Sequence, residues 1–294
     1  MLDRSATSLD GKVAIVTGGG GGIGRAISET FAAHGAKVVV AERHAERAAE
    51  TVAAIEGRGH AAVASVVDVQ RRDEVESMVA TALDAYGRID ILVNNVGDFL
   101  GITHRFIKTD EDDWEALYNI NLKHVFHCTK AAVPQMIEQG DGGSIINVST
   151  IEAFRGIPGN VAYSAFNTAI TGFTRSLALE LGPEKIRVNA IAPETTDTLQ
   201  VPVSQWIPPE NRDRIPYLTP LGRYGTVDDA AGCALFLASE LSAWVTGTTV
   251  HMDGGALAAG GFYRLPSGAW TNNPLVDAGA IGAPDAGPDG GIGD

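Results

Sequence analysis

Short apolar runs alternate along this chain with longer amphipathic stretches, and that alternation leaves few folds open. Apolar runs at 13–17, 37–41, 61–67 and 89–93 are separated by stretches at 22–34, 45–56 and 72–86 whose apolar residues recur at helical spacing. Strand, helix, strand at this repeat requires crossover connections, which are right-handed and build a parallel sheet. The pattern resumes with a helix at 112–139, strands at 144–148 and 187–191 around a long helix at 162–181, a helix at 227–238 and a last strand at 248–252. Seven strands with helices on both faces predict an α/β fold, a doubly wound, Rossmann-like parallel sheet. The 294 residues, 45% of them hydrophobic, suit one domain with one large core.

That domain is expected to span 1–255, with an irregular stretch at 194–223, rich in proline, threonine and isolated aromatics, serving as a lid. Residues 256–294 read as an extended C-terminal arm. Phe262, Tyr263, Trp270 and Leu275 anchor its first part, and 282–294 is bare enough of anchors to be disordered. A net charge of −14 argues against a nucleic-acid partner. No apolar run reaches the roughly 18 to 20 residues that span a bilayer, so no membrane partner is expected. Cys128 and Cys233 have no paired spacing, which fits a reducing cytoplasm and neither a disulfide framework nor a zinc site. His124 and His127 are spaced for metal ligation on one helix but lack a third ligand, so packing is expected there and no metal.

The run from Thr17 to Gly24 holds five consecutive glycines, follows a strand and opens a helix. Gly18, Gly22 and Gly24 would let backbone N–H groups approach a pyrophosphate at the helix N-terminus; the alternative is a flexible turn. Glu42 closes the second strand eighteen residues after Gly24, where a carboxylate takes ribose hydroxyls and repels a 2′-phosphate. That favours NAD over NADP, although Arg43 could serve a 2′-phosphate and Glu42 could be a solvated strand end. Asp68, after the third strand, either bonds the adenine amine or forms a turn.

These motifs, with Asn94-Asn95-Val96-Gly97 after the fourth strand, Asn121 in the next helix, Ser149-Thr150 after the fifth strand, Tyr163, and Pro193 after the sixth, resemble the short-chain dehydrogenase/reductase family over about residues 10 to 255. The resemblance implies NAD(P)-dependent interconversion of a secondary alcohol and a ketone, usually in a homotetramer. It implies Tyr163 as acid/base, Thr150 as the hydroxyl that orients the substrate oxygen, and Asn121 as anchor of a water chain. It also places Ile23, Val69, Asn95, Gly97, Pro193 and Thr198 along the cofactor. The Asn-Asn-Val-Gly motif and the tail look like those of dihydrodiol dehydrogenases, which implies a small cyclic or aromatic-derived substrate.

One departure is serious: the family's lysine, four residues after the tyrosine, is Asn167 here. An amide can still bond ribose hydroxyls but supplies no charge to stabilise a tyrosinate, and a phenol of pKa near 10 is a poor base unaided. Impaired activity at neutral pH is expected. Arg155 is the candidate substitute cation, or a solvated loop charge. Glu152 and Glu194, the latter where the family usually has glycine, and Trp206 in the lid are candidate substrate contacts, with loop carboxylates and a loop anchor as the alternatives. A second reading, an inactive dinucleotide-binding sensor or assembly protein, must explain why Tyr163, Thr150, Asn121 and the glycine loop all persist.

Overall fold

A computed structural model describes residues 3–265, 268, 270 and 271. Its first half alternates β1 (Val13–Thr17), α1 (Gly22–Ala33), β2 (Lys37–Glu42), α2 (Ala45–Glu56), β3 (Ala62–Val66), α3 (Arg72–Tyr86) and β4 (Ile91–Asn94). The second half runs α4 (Glu111–Tyr118), α5 (His124–Gln139), β5 (Gly143–Val148), α6 (Val161–Glu180), β6 (Ile186–Pro193), short α7 (Val203–Trp206) and α8 (Ile215–Leu218), α9 (Val227–Ala238) and β7 (Thr249–Met252). The seven strands are parallel in the order β3-β2-β1-β4-β5-β6-β7. The strand order reverses between β1 and β4, and the carboxyl ends of strands at such a switch point open a ligand crevice.

β1 is buried at every position and β2 at all but Lys37, as strands covered on both faces must be. One layer packs Ile27 and Phe31 of α1 with Ala231, Ala234 and Leu237 of α9 against the sheet. The other packs Val75 and Met78 of α3 with Cys128, Ala132 and Met136 of α5. No helix among the described residues is long and apolar enough to cross a membrane.

Three details depart from the sequence pattern. The helix expected at 112–139 is broken by a π turn, Asn119–Lys123, between α4 and α5. The turn inserts a residue into the helical repeat at Asn121, whose amide bonds both Asp98 and the Leu117 carbonyl, and such bulges commonly mark functional sites. The segment 194–223, expected to be an irregular lid, carries α7, α8 and a 3-10 turn, Pro209–Arg214. The arm begins with a helical turn, Ala256–Ala259, and adds a two-stranded antiparallel hairpin, β8 (Tyr263–Arg264) with β9 (Trp270–Thr271), β8 lying against α8. Leu275 and 282–294, where the sequence suggested an anchor and a disordered end, lie outside the described residues.

Asp90 locks the far end of the sheet. Its buried carboxylate accepts from Val13 N at 2.9 Å and from Arg88 at 2.7 and 2.8 Å, with Lys12 at 3.5 Å. Asp90→Asn leaves Arg88 one carboxylate partner, Asp141, and a neutral acceptor at the β1 amide. A loss of about 2–3 kcal/mol is expected, because charge-assisted bonds at a buried site are the strong ones. For a domain of this size that is roughly 5–10 °C in Tm by calorimetry; an unchanged Tm would mean the cluster contributes nothing net.

Candidate active-site cleft

A single cleft of about 420 Å³ runs across the carboxyl ends of the strands, from the glycine loop to Tyr163. Gly18, Gly22, Ile23, Glu42, Asp68, Val69, Asn95 and Gly97 line it, as do Asn121, Thr150, Glu152, Tyr163, Asn167, Pro193, Glu194 and Thr198. Gly24 lies beneath the loop instead. The side chain of Trp206, the remaining candidate substrate contact, lies outside the described part of the structure.

The loop end is built from backbone. Gly18 and Gly22 have φ of 65° and 49°, a region open to glycine. Gly21 caps α1 in an extended conformation with no side-chain hydrogen bond, which leaves the first N–H groups of the helix facing the cleft for an anion. A Cβ at position 24 would overlap the Gly18 carbonyl oxygen and sit 2.6 Å from Asn95 Nδ2, so loop, helix and the β4 end close on one another only through glycine. Asn95 secures that closure: its N–H donates to Thr17 Oγ1 at 3.0 Å and its amide to Thr17 O at 3.1 Å.

At the outer end Glu42 is 8% exposed, with one oxygen accepting from His44 N at 3.1 Å. A Cβ at Gly20 would lie 2.6 Å from Glu42 Cγ, so the carboxylate sits directly over the loop. Arg43 and Arg47 line the same end, and Arg43 Nε is turned onto His44 Nε2 at 3.1 Å. Asp68 accepts from Gln70 N at 3.0 Å and closes an Asx turn while still bordering the cleft, so it has the turn role the sequence allowed. These features fit a nicotinamide dinucleotide: N–H groups for the diphosphate, a carboxylate for the ribose, and a loop without side chains to obstruct either. The chain after β6 crosses above, with Thr198 beside Gly22 and Gln200 Nε2 donating to Gly97 O at 3.3 Å.

At the reactive end Tyr163 and Thr150 line the cleft together, near enough that the Thr150 side chain favours ionisation of the Tyr163 phenol. Burial pushes the Tyr163 phenol up to about 12; the Thr150 side chain pulls against this, and the charges of Glu152 and Asp98 add to it. Asn167 is 4% exposed, and its side-chain amide donates to Tyr163 O at 3.0 Å while its backbone carbonyl accepts from Ser149 Oγ at 3.1 Å. The residue at the lysine position thus tightens the helix beneath Tyr163 and brings no charge to the phenol.

Arg155 is no substitute for that charge. Its Nη2 lies 2.9 Å from Glu152 Oε1 and 2.5 Å from Glu194 Oε2, and Nε donates to Glu152 Oε2 at 3.2 Å. Glu194 is further held by Thr195 N and Oγ1, both at 2.9 Å. The expectation of Arg155 as a free cation and of a purely solvated loop charge both give way to a Glu152–Arg155–Glu194 bridge between the β5 and β6 ends. Asp98 is the residue that sequence reasoning missed; its place one beyond Asn-Asn-Val-Gly at the β4 end was the available signal. His124 is fully buried in α5, which pulls it down to about 4, so it packs as a neutral ring. Among the described residues no group of three His, Cys, Asp or Glu forms a metal site.

Comparison with known proteins agrees with this geometry. Residues 18–256 match the family described as enoyl-(acyl carrier protein) reductase, a match that stops where the arm begins. The chain is 39% identical to the 3-oxoacyl-[acyl-carrier-protein] reductase FabG of Thermotoga maritima, across 84% of this chain and 98% of that protein. It is 37% identical to the (2S)-[(R)-hydroxy(phenyl)methyl]succinyl-CoA dehydrogenase subunit BbsD of Thauera aromatica, across 84% and 97%. A solved 7α-hydroxysteroid dehydrogenase complexed with NADH and 7-oxo glycochenodeoxycholic acid superposes with a TM-score of 0.81 at 34% identity, covering 87% of this chain and 98% of that one.

Proposed function

The chain belongs to the short-chain dehydrogenase/reductase family, oxidoreductases acting on CH–OH groups, and on that premise we propose that it interconverts a secondary alcohol and a ketone with NAD, slowly at neutral pH. The observation that carries the reading is the adjacent Tyr163–Thr150 pair at one end of a cleft whose other end is the glycine loop under Glu42. The cofactor, when bound, supplies or accepts the hydride. Thr150 holds the substrate oxygen, and Tyr163 donates the proton in reduction and takes it in oxidation. Asn121, braced across the π turn, orders water behind the site, and the lid start shields the reacting carbon. Asn167 anchors Tyr163 and lends no charge.

Phe99, Leu100, Leu199 and Val201 line the cleft beside these polar groups, which favours a cyclic or aromatic-derived substrate, and the names of the benzylic and steroid relatives support that class. Assembly as a homotetramer belongs to the same reading: the Phe126–Phe173 ring pair on α5 and α6 and the exposed Leu179 and Trp244 offer apolar faces. The buried Glu42 beside the loop supports NAD over NADP.

The test is direct. NADH and NADPH binding are followed by nicotinamide fluorescence, and NADH oxidation is followed with cyclic and aryl ketones. NADH should bind at least tenfold more tightly than NADPH, about 1.4 kcal/mol, and Glu42→Ala should erase that preference. Equal binding by the unaltered chain would remove NAD specificity. NADH binding without turnover of any ketone or alcohol up to about pH 10, where an ordinary phenol titrates, would leave a dinucleotide-binding protein in place of an enzyme.

A further inference from the structure

We infer that Arg155 is a positioning residue for the acid/base tyrosine: it holds the carboxylates of Glu152 and Glu194 together and away from Tyr163, in a site that has no lysine to counter them. The inference rests on Tyr163 being the acid/base group.

The charged and titratable groups facing Tyr163 come from every strand end packed around it. Asp98 after β4 and Glu152 after β5 act on the phenol, Glu194 after β6 lines the same cleft and shares Arg155 with Glu152, and α6 itself contributes neutral Asn167. No lysine or arginine among the described residues lines this end of the cleft; Arg43 and Arg47 line the far end. In a site with a lysine at 167, stray negative charge would be countered on the spot. Here, among the described residues, the cation paired with these carboxylates is Arg155, and its geometry decides where they point.

Both Glu152 oxygens are bonded to the guanidinium of Arg155, at 2.9 and 3.2 Å, which fixes the direction of the carboxylate and offsets its charge. Glu152 and Glu194 are 14% and 11% exposed, partly desolvated carboxylates that a single arginine has to serve. Its planar fork takes one carboxylate through Nε and Nη2 and reaches the other, which a lysine point charge does not reproduce. The Glu152 backbone carbonyl accepts from Ser164 Oγ at 2.7 Å, which holds the Glu152 backbone against the first turn of α6, beside Tyr163. Without Arg155 the pair repels, and Glu152 is released toward the phenol and the reacting oxygen. The missing lysine, the glutamate in place of glycine at 194 and the nearby arginine thereby become one arrangement.

The test uses the full chain with Arg155→Ala, Arg155→Lys, Glu152→Gln and the Arg155→Ala/Glu152→Gln double variant. In the unaltered background Arg155→Ala should lower kcat about tenfold near pH 8, the equivalent of one pKa unit on Tyr163, with KM for the cofactor unchanged. Arg155→Lys should fall between, and the double variant should recover most of the loss. The same changes placed on Asn167→Lys, where the phenol titrates within reach, are read without cofactor or turnover by ultraviolet difference titration against matched Tyr163→Phe proteins. Arg155→Ala should raise the midpoint by about one unit, and the double variant should return it. Glu152→Gln alone keeps the Arg155–Glu194 pair and should lower the midpoint, which covers the case of an Arg155→Ala protein that does not fold. A double variant no better than Arg155→Ala, or a midpoint that Glu152→Gln does not lower, overturns the inference. Absence of turnover with the titration shifts intact would instead count against the proposed reaction.

Discussion

Asn167→Lys is expected to raise alcohol oxidation at pH 7 by about one to two orders of magnitude, with the gain shrinking toward parity near pH 11. The sign follows from Tyr163. Oxidation needs the tyrosinate, and burial with two nearby carboxylates holds the phenol up to about 12, so at pH 7 almost none is ionised. In the unaltered chain the rate should climb about tenfold per pH unit from 7 upward, without a plateau below that value. A cation about 4 Å from the phenol is worth roughly 4 kcal/mol at an effective dielectric of 20, or about three units. A less basic tyrosinate is a weaker acceptor, which returns part of that gain and sets the smaller figure. Reduction at a fixed pH should gain by the same factor, because the overall equilibrium does not depend on the enzyme. The substitution gives up the Asn167–Tyr163 carbonyl bond, about 1 kcal/mol, so the fold should survive. Initial rates from pH 7 to 11 for both proteins decide it. A folded, NADH-binding Asn167→Lys protein no faster than its parent at pH 7 would mean that proton transfer at Tyr163 does not limit this chain.

The fold was readable from the chain because its signal is repetitive. Apolar runs at regular spacing and a glycine loop between strand and helix carry the seven strands and the doubly wound, parallel class of sheet through local pattern alone. The small misses are instructive. A π turn inside 112–139 leaves the helical apolar period nearly intact, so only its consequence, Asn121 braced against Asp98, shows it. The helices within 194–223 are four residues each, too short to express a period. At the site, the positions of Tyr163, Thr150 and Asn167 were legible because each follows a strand end or sits at fixed helical spacing. What sequence could not give was the partner of each charge. Arg155 is three residues from Glu152 but thirty-nine from Glu194, and the long-range contact decides that it is a bridge. Glu42 and Asp68 illustrate the same limit: both stand at strand ends, yet one lies over the glycine loop and the other closes a turn.

Gly24→Ala should abolish cofactor binding, by at least a hundredfold in Kd, although alanine is the better helix former. In an open helix the change would stabilise by about 1 kcal/mol. At position 24 the added methyl has no such freedom: it would overlap the Gly18 carbonyl oxygen and stand 2.6 Å from Asn95 Nδ2 and 2.8 Å from the Gly18 carbonyl carbon. Two of those atoms are backbone, and the third belongs to the side chain that fastens β4 to β1, so no flexible tip can yield. Relief requires α1 to back away from the loop, and the helix N-terminus then withdraws from the place a diphosphate would take. The loss should therefore fall on NADH affinity far more than on kcat per bound cofactor. Gly232→Ala supplies the internal comparison, because a Cβ at that exposed position in α9 meets nothing within 4 Å. It should raise Tm slightly and leave NADH affinity as it was. Fluorescence titration and calorimetry on the pair separate the two effects. If Gly24→Ala bound NADH as its parent does, the glycine loop would not be the diphosphate site, and the NAD assignment would fall with it.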